Sequence, residues 1–337
     1  MYNYSEGTKV TKPILAEKLH DEKKITDDEY NKLTGQNGET EVDVIQIGTI
    51  TIDFSVLGTS SSKTVNDLEV GDYVKYGAKL TGETKKYETK TSETGYDSSQ
   101  TFETDTNMLW RVISKSNGKV ELVATKNVLA NDKTTGLYFK GQNGFLNAET
   151  VLKNLCETLY NSDYGTARSI KVEDINNLTG YDPATSATDY NKPYTYTAGG
   201  PFWDKTTNTF KPVNSTVTVN NDDYYYTVDE NIPLYDTLIA ESKIAESKEE
   251  TFQGGKTNFT KFYWLGSRCV DASDSRASFI LRFVGSGVVA CWNLFDAFVE
   301  GDPYENGYSC AVRPIVTLNS GIQITDGDGS QATPYEL

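Results

Sequence analysis

The sequence predicts an α+β fold, and three features carry that expectation. Residues 107–125 hold two apolar runs around Ser116-Asn117-Gly118-Lys119, where Asn117 and Gly118 tolerate the positive φ of a tight hairpin turn. Residues 149–160 place Val151, Leu152, Leu155, Cys156 and Leu159 at helical spacing, a single amphipathic helix suited to lie on a sheet. From residue 261 strands cluster: over 276–283, Ala277, Phe279, Leu281 and Phe283 fall on one face and Arg276, Ser278, Ile280 and Arg282 on the other.

In chain order, residues 13–33 favour helix, with Pro13 in a first turn, a Thr26 to Glu29 capping box and Gly35 as the stop. Few apolar residues lie on these turns, so 1–40 reads as a helical stalk or assembly segment. Residues 42–57 are β-branched and partly alternating, which predicts strands. Residues 81–107 lack aliphatic side chains, as in an exposed insertion or a two-sided polar hairpin, and 41–107 forms a β-rich segment. A short helix is expected at 172–178, ended by Gly180, and an irregular excursion at 181–223, rich in Pro, Gly, Thr, Asn and Tyr. Residues 233–250 are the last helical candidate, with Leu234, Leu238, Ile239 and Ile244 inward. Gly285-Ser286-Gly287 permits a turn, 288–295 returns as the partner strand, and Pro314 predicts an edge or a bulge in the last strand, 311–318.

Charge and composition narrow the function. With 32 Lys plus Arg against 48 Asp plus Glu in 337 residues, the net charge is -16, which argues against nucleic acid and against anionic membrane surfaces. No apolar run reaches the roughly 20 residues of a membrane span, and the first residues lack the apolar core of a secretory signal. A soluble segment is expected, attached to a membrane only through an anchor outside this sequence. The single histidine, His20, lies in a charged helical stretch, which removes Ser-His-Asp triads, multi-His zinc sites and Cys-His pairs. The four cysteines show no CxxC spacing. Twenty-two tyrosines among many small polar residues give a composition like that of binding loops.

In the C-terminal third, short anchors frame positions of unrestricted type: Tyr263-Trp264-Leu265, Ser267-Arg268, Phe279, Leu281-Arg282, Leu294-Phe295 and Val312-Arg313-Pro314. This pattern resembles the C-type-lectin-like domain of variable proteins in diversity-generating retroelements, and 110–180 resembles the body that precedes such domains in bacterial surface proteins. The resemblance implies a C-type-lectin-like, formylglycine-generating-enzyme-type domain at 108–337 with a variable region at 263–313. It implies that Cys269, Cys291, Cys310, Phe283 and Phe298 are products of rewritten tyrosine codons, so the four cysteines are expected as unpaired thiols. The displayed set it implies is Asp271, Ser273, Ser275, Arg276, Ser278, Ile280, Phe283, Ser286, Val288, Ala290, Cys291, Trp292, Asn293, Asp296, Phe298, Tyr304, Glu305 and Tyr308. Trp264, Leu265, Phe279, Leu281, Leu294, Phe295 and Val312 are expected in the core.

The function implied is a ligand-binding display protein of adhesin or receptor-binding type, without catalysis, cofactor or metal. Its partner would be a protein or glycan on another cell, and its place the cell surface or the extracellular space, or alternatively a phage virion. Trp292 and Tyr304 are expected as the anchors of one face shared with Asp271, Ser273, Arg276, Ser278, Ile280 and Asp296. Trp292-Asn293-Leu294 and Tyr304-Glu305-Asn306 lack the second carboxylate and the proline of calcium-dependent sugar sites. Cys269, Cys291 and Cys310 are not spaced like the reactive pair of formylglycine-generating enzymes, and Asp326-Gly327-Asp328-Gly329 reads as a turn. The alternatives are a pilin-like or phage-tail subunit, or a glycan-cleaving enzyme. Against the enzyme, no acidic pair in an apolar setting is evident in the sequence.

Overall fold

The computed structural model describes residues 12–38, 44–47, 50–53, 63–76, 84–116, 118–196, 199–204, 206–213, 216–243, 250–252, 256–298 and 303–337. The chain divides into two compact units, 1–63 and 64–337. The expected boundary after residue 107 is therefore displaced. Residues 64–107 belong to the larger unit because Tyr73–Lys75 pairs with Trp110–Ser116 and extends its sheet.

In the smaller unit the expected helix at 13–33 is two helices, Lys12–Asp21 and Asp27–Thr34. Between them Lys23 takes φ 54°, a left-handed conformation that ends the first helix. The capping box is present: the Thr26 hydroxyl accepts from the Glu29 N–H, and the Glu29 carboxylate accepts from the Thr26 N–H at 2.7 Å. Gly35 closes the second helix at φ 67°. Ala16, Leu19, Ile25 and Leu33 are buried, and Val44–Ile47 pairs antiparallel with Ile50–Asp53. The rest of the strand region expected at 42–57 lies outside the described residues.

Among the described residues the larger unit carries two large sheets and three two-stranded ladders. The first has six strands in the order Tyr335–Glu336, Tyr73–Lys75, Trp110–Ser116, Lys119–Ala124, Pro314–Leu318, Gly165–Ser169. Its centre is the predicted hairpin, with Gly118 at φ 72° in the turn and Asn117 outside the described residues. The second has eight strands. Its main path runs Tyr226–Thr227, Val288–Phe298, Arg276–Gly285, Lys256–Ala272, Gly307–Val312, Leu137–Lys140, and Glu250–Phe252 and Tyr304–Glu305 pair at its margins. The expected strand 311–318 is thus split between the two sheets. Pro314 is not at an edge: its strand lies between Lys119–Ala124 and Gly165–Ser169, and Pro314 is tolerated as the first residue of that strand.

One 20-residue helix, Gly141–Tyr160, packs on the sheets through Phe145, Ala148, Val151, Leu152, Leu155, Cys156 and Leu159. It begins eight residues before the periodic stretch. Gly141 and Gly144 hide that start in the sequence, because glycine is a poor helix former. Both are required: Gly141 has φ +60°, and a methyl group on Gly144 would meet the Thr94 carbonyl at 2.9 Å. The short helix Val172–Thr179 and its Gly180 stop form as expected. The helix expected at 233–250 is not continuous over its described part, 233–243. Leu234 stands at φ 63°, and only the turns Tyr235–Leu238 and Ala240–Lys243 form before the described residues end at 243. The polar stretch 81–107 forms a ladder of Lys86–Glu88 with Thr101–Glu103 that buries Phe102. The excursion 181–223 is not irregular, since Pro193–Tyr196 pairs with Val217–Asn220 and Gly199–Asp204 with Thr209–Val213. The described residues are mostly strand with a few helices, an α+β arrangement.

Alternation across the second sheet places the expected anchors. Phe279, Leu281, Phe283, Phe295 and Trp264 join the core of the long helix, with Phe145 against Phe279 at 5.5 Å between ring centres. On the opposite face, Tyr263, Leu265, Val284 and Val289 form a second core with Val172, Ile175, Tyr224 and Leu238. All seven anchors named from the sequence are buried.

Candidate functional site

The displayed set lies on the long hairpin Arg276–Gly285 to Val288–Phe298, on its neighbour Lys256–Ala272 with the loop 273–275, and on the strands Tyr304–Glu305 and Gly307–Val312. Ser286 and Gly287 close the hairpin at φ 51° and 79°, the pair of positive angles that a two-residue turn between twisted strands requires. The register puts Asp271, Ser278 and Asp296 in one row across three strands, and Cys269, Ile280 and Asn293 in the next. Residues on one row share a face, so this polar stripe lies opposite Phe279 and Leu281, as alternation predicts.

The set does not form the single open face expected. At the turn end, the tip is packed away: the Ser286 N–H donates to the Ser242 carbonyl, and Val228 N–H donates to the Gly287 carbonyl. Val288 pairs with Thr227 in the outermost strand of the sheet. In the middle, residues 221–227 cross the stripe and cover it. Asn221 and Asp222 accept from the Ala272 and Val270 N–H groups through their side chains, and Tyr226–Thr227 pairs with Val288–Val289 on the far side. Ser278, Ile280 and Asp296 on this face are buried rather than exposed, and Phe283 is buried on the helix side.

Trp292 is also misplaced by the sequence reading. Alternation turns it to the helix side, where its ring stacks on Phe283 at 3.9 Å and on Tyr308 at 4.8 Å and meets Phe259 at 4.5 Å. It therefore cannot stand beside Ser278 and Ile280, which point the other way. Tyr308 belongs to the same stack, and Ala290 and Phe283 pack on the same core. The Glu305 carboxylate is exposed but sits against Gly141, where the long helix begins. The side chain of Phe298 lies outside the described residues.

What remains open is the end of the hairpin away from its turn. Ser275 and Arg276 are exposed, Asp271, Ser273 and Asn293 half-buried, and Tyr304 is 60% exposed. The loop 273–275 is not slack: the Tyr196 hydroxyl donates to the Ser273 and Arg276 carbonyls at 2.7 and 2.8 Å. Below the rim, the buried Asp296 carboxylate accepts from the Ser278 hydroxyl at 2.5 Å and from the Asn293 amide at 2.6 Å. Asp271 faces Arg276 at 3.7 Å. Burial raises the Asp271 carboxyl above its ordinary value, and the Asp223 charge adds to this against the opposing pull of Arg276. One acidic group whose pKa burial raises is thus present beside the rim.

Two residues of the crossing segment escaped the sequence reading, Asp223 and Tyr225. Tyr225 is 78% exposed. Asp223 lies over the stripe, and one of its oxygens accepts from the Cys291 thiol at 3.1 Å and the Cys269 thiol at 3.7 Å, with an Arg282 nitrogen at 3.8 Å. The fold brings these two cysteines to one carboxylate although their spacing suggested no pair. They stand on strands separated by a third, yet both thiols reach one Asp223 oxygen and the Cys269 thiol is hydrogen-bonded to that of Cys291, without a disulfide between them. All four cysteines carry free thiols, and burial pushes the Cys156, Cys269 and Cys310 thiols up, so they stay protonated. The runs of tyrosine in 181–226 gave the only hint of this region. Tyr181 stacks on Tyr226 at 3.9 Å, and Asn176 bonds the Tyr224 and Tyr226 hydroxyls, fixing the segment beside its crossing.

Comparison of the chain with protein-family models, with curated proteins and with solved structures gave no match.

Proposed function

We propose that the chain is a ligand-binding display protein on a C-type-lectin-like scaffold, and that its contact face is the open end of the hairpin together with the crossing segment. The observation that carries this reading is the rim itself. Asp271, Ser275, Arg276 and Tyr304 are presented to solvent above a polar floor in which buried Ser278 and half-buried Asn293 both bond the buried Asp296 carboxylate. Short polar groups beside an exposed tyrosine, all on strands that cannot shift, match the chemistry of preorganised binding surfaces. The partner in this reading is a protein or glycan on another surface, and the protein acts at a cell surface or on a virion.

The test is to probe a glycan array and a panel of bacterial cells with the chain, then repeat with Asp271→Ala, Ser275→Ala, Arg276→Ala and Tyr304→Ala combined. The expected result is a selective ligand whose binding the combined variant loses while its melting temperature holds. Retained binding, or a ligand mapped to the 199–213 hairpin, overturns the reading. Sequencing the neighbouring locus tests the retroelement resemblance separately, through a reverse transcriptase and a near-copy of codons 263–313.

One observation favours the glycan-cleaving alternative. Asp271 and Asp296 flank Ser278 on the same face, and burial raises Asp271 in the sense a general acid needs. A reducing-end assay on any glycan the array identifies decides it, since cleavage abolished by Asp271→Asn would replace display by catalysis.

A further inference from the structure

Arg282 is 2% exposed and points from the central strand into the segment that crosses it. Its guanidinium donates to the Asp222 carbonyl at 2.5 Å and the Tyr224 carbonyl at 2.7 Å, and lies 3.8 Å from the centre of the Tyr224 ring. The two bonds bracket Asp223. On either side of Arg282, Cys269 and Cys291 donate to the Asp223 carboxylate. The backbone that carries Asp223 and Tyr225 is thus fastened from below by three side chains of the sheet. The ends of the segment are held separately, at Val270 and Ala272 and at Val288–Val289.

We infer that Arg282, Cys269 and Cys291 are positioning residues for the binding face: they touch no ligand, but set where Asp223 stands over the stripe and how the crossing segment presents Tyr225. The inference rests on the binding reading above and deepens it. A guanidinium forked onto two carbonyls fixes both the height and the direction of the chain between them. A thiol that hydrogen-bonds Asp223 sets how far its carboxylate leans over the stripe. A change at 269 or 291 then reshapes the face by moving the segment above it.

Amide hydrogen exchange followed by mass spectrometry tests this with no ligand present. Arg282→Met should speed exchange over 221–228 by about tenfold or more while leaving 110–124 unchanged, because the segment loosens locally and the sheets do not. Cys291→Val should give a smaller rise in the same peptide, and Cys291→Ser, which keeps a donor for Asp223, should restore the native rate. Unchanged exchange over 221–228 in Arg282→Met overturns the inference. So does a rise spread equally over both sheets, which would make Arg282 a core residue only. Should Arg282→Met fail to fold, Arg282→Lys is read by the same criteria, since it keeps the charge and loses the fork. A failed array experiment with native exchange in 221–228 removes the binding reading alone, whereas a failed exchange experiment removes only the positioning role.

Discussion

The Glu305 carboxylate rests against Gly141, the first residue of the long helix, so closely that a methyl group built on Gly141 would meet it at 2.5 Å. Gly141 N–H also donates to the Asn306 carbonyl at 3.1 Å, so the strand Tyr304–Glu305 and the helix start hold each other. Gly141→Ala combines that clash with φ +60° and should cost about 1–2 kcal/mol or more in urea denaturation. Adding Glu305→Ala should recover the part due to the clash and leave the backbone strain. Equal stability of the single and double variants would show that the carboxylate simply moves aside.

The raised Asp271 carboxyl makes a prediction with a definite sign. Its ordinary value is 3.8, and burial first, then Asp223, raise it in the folded protein. Between those two values the folded state holds more protons than the unfolded one, so this residue removes stability as pH rises through the window. Above the window the penalty is complete. Asp271→Asn should therefore stabilise the protein at pH 7, and the gain should vanish as the pH falls below 3.8. Glu121 behaves oppositely. Burial alone would raise it, but the charge and hydrogen bonds of Arg168 outweigh burial and lower it, so its stabilisation is present at neutral pH and lost on acidification. Melting curves of Asp271→Asn and Glu121→Gln against pH should diverge accordingly.

Much of the fold is legible in the sequence where periodicity is strong. The hairpin at 110–124, the capping box at Thr26, the alternation of 276–283 and the buried anchors follow from local pattern alone. The first turns of the long helix were masked by Gly141 and Gly144, whose reason for being glycine is tertiary. The helix expected at 233–250 fails at Leu234, since a left-handed leucine is something no propensity predicts. The candidate site was half legible. Alternation gave the polar stripe correctly, but exposure depends on what crosses it, and the crossing segment 221–227 lies in a stretch whose polar composition suggested a loop. The resemblance places Trp292 on the face by position, whereas the register pairs it with Leu281 and so sets it on the helix side.

Between the two sheets, Arg313 is buried with its guanidinium held by the Asn127 side-chain oxygen, at 3.0 and 2.6 Å, and by the Thr237 carbonyl. It lies over the Tyr263 ring at 4.6 Å, and burial lowers its pKa. A buried cation held by neutral acceptors is sensitive to losing one of them. Asn127→Leu should cost about 1.5–3 kcal/mol. The double variant Asn127→Leu with Arg313→Met should cost less than the sum of the singles by at least about 1 kcal/mol, because the second change removes the stranded charge. Additivity within about 0.5 kcal/mol would mean the two residues are not coupled.

Trp292 and Tyr304 look alike in the sequence as aromatic anchors of a binding face, and their environments separate them. Trp292 is stacked among Phe283, Phe259 and Tyr308, while Tyr304 is 60% exposed on the strand beside Asp296. Removing the Trp292 ring opens a gap in an aromatic cluster, so Trp292→Ala should lower stability by about 2–4 kcal/mol, somewhat less than a fully enclosed ring. Tyr304→Ala removes a ring that the fold hardly uses and should change stability by no more than about 0.5 kcal/mol. On the ligand identified by the array the order reverses: Tyr304→Ala should weaken binding by about 2 kcal/mol, and Trp292→Phe, which keeps the stack, should leave it unchanged. Paired denaturation and titration of these variants decides the matter. If Trp292→Phe folds normally yet loses the ligand, the contact face lies on the helix side of the sheet, and the rim at Asp271 and Arg276 is only its border.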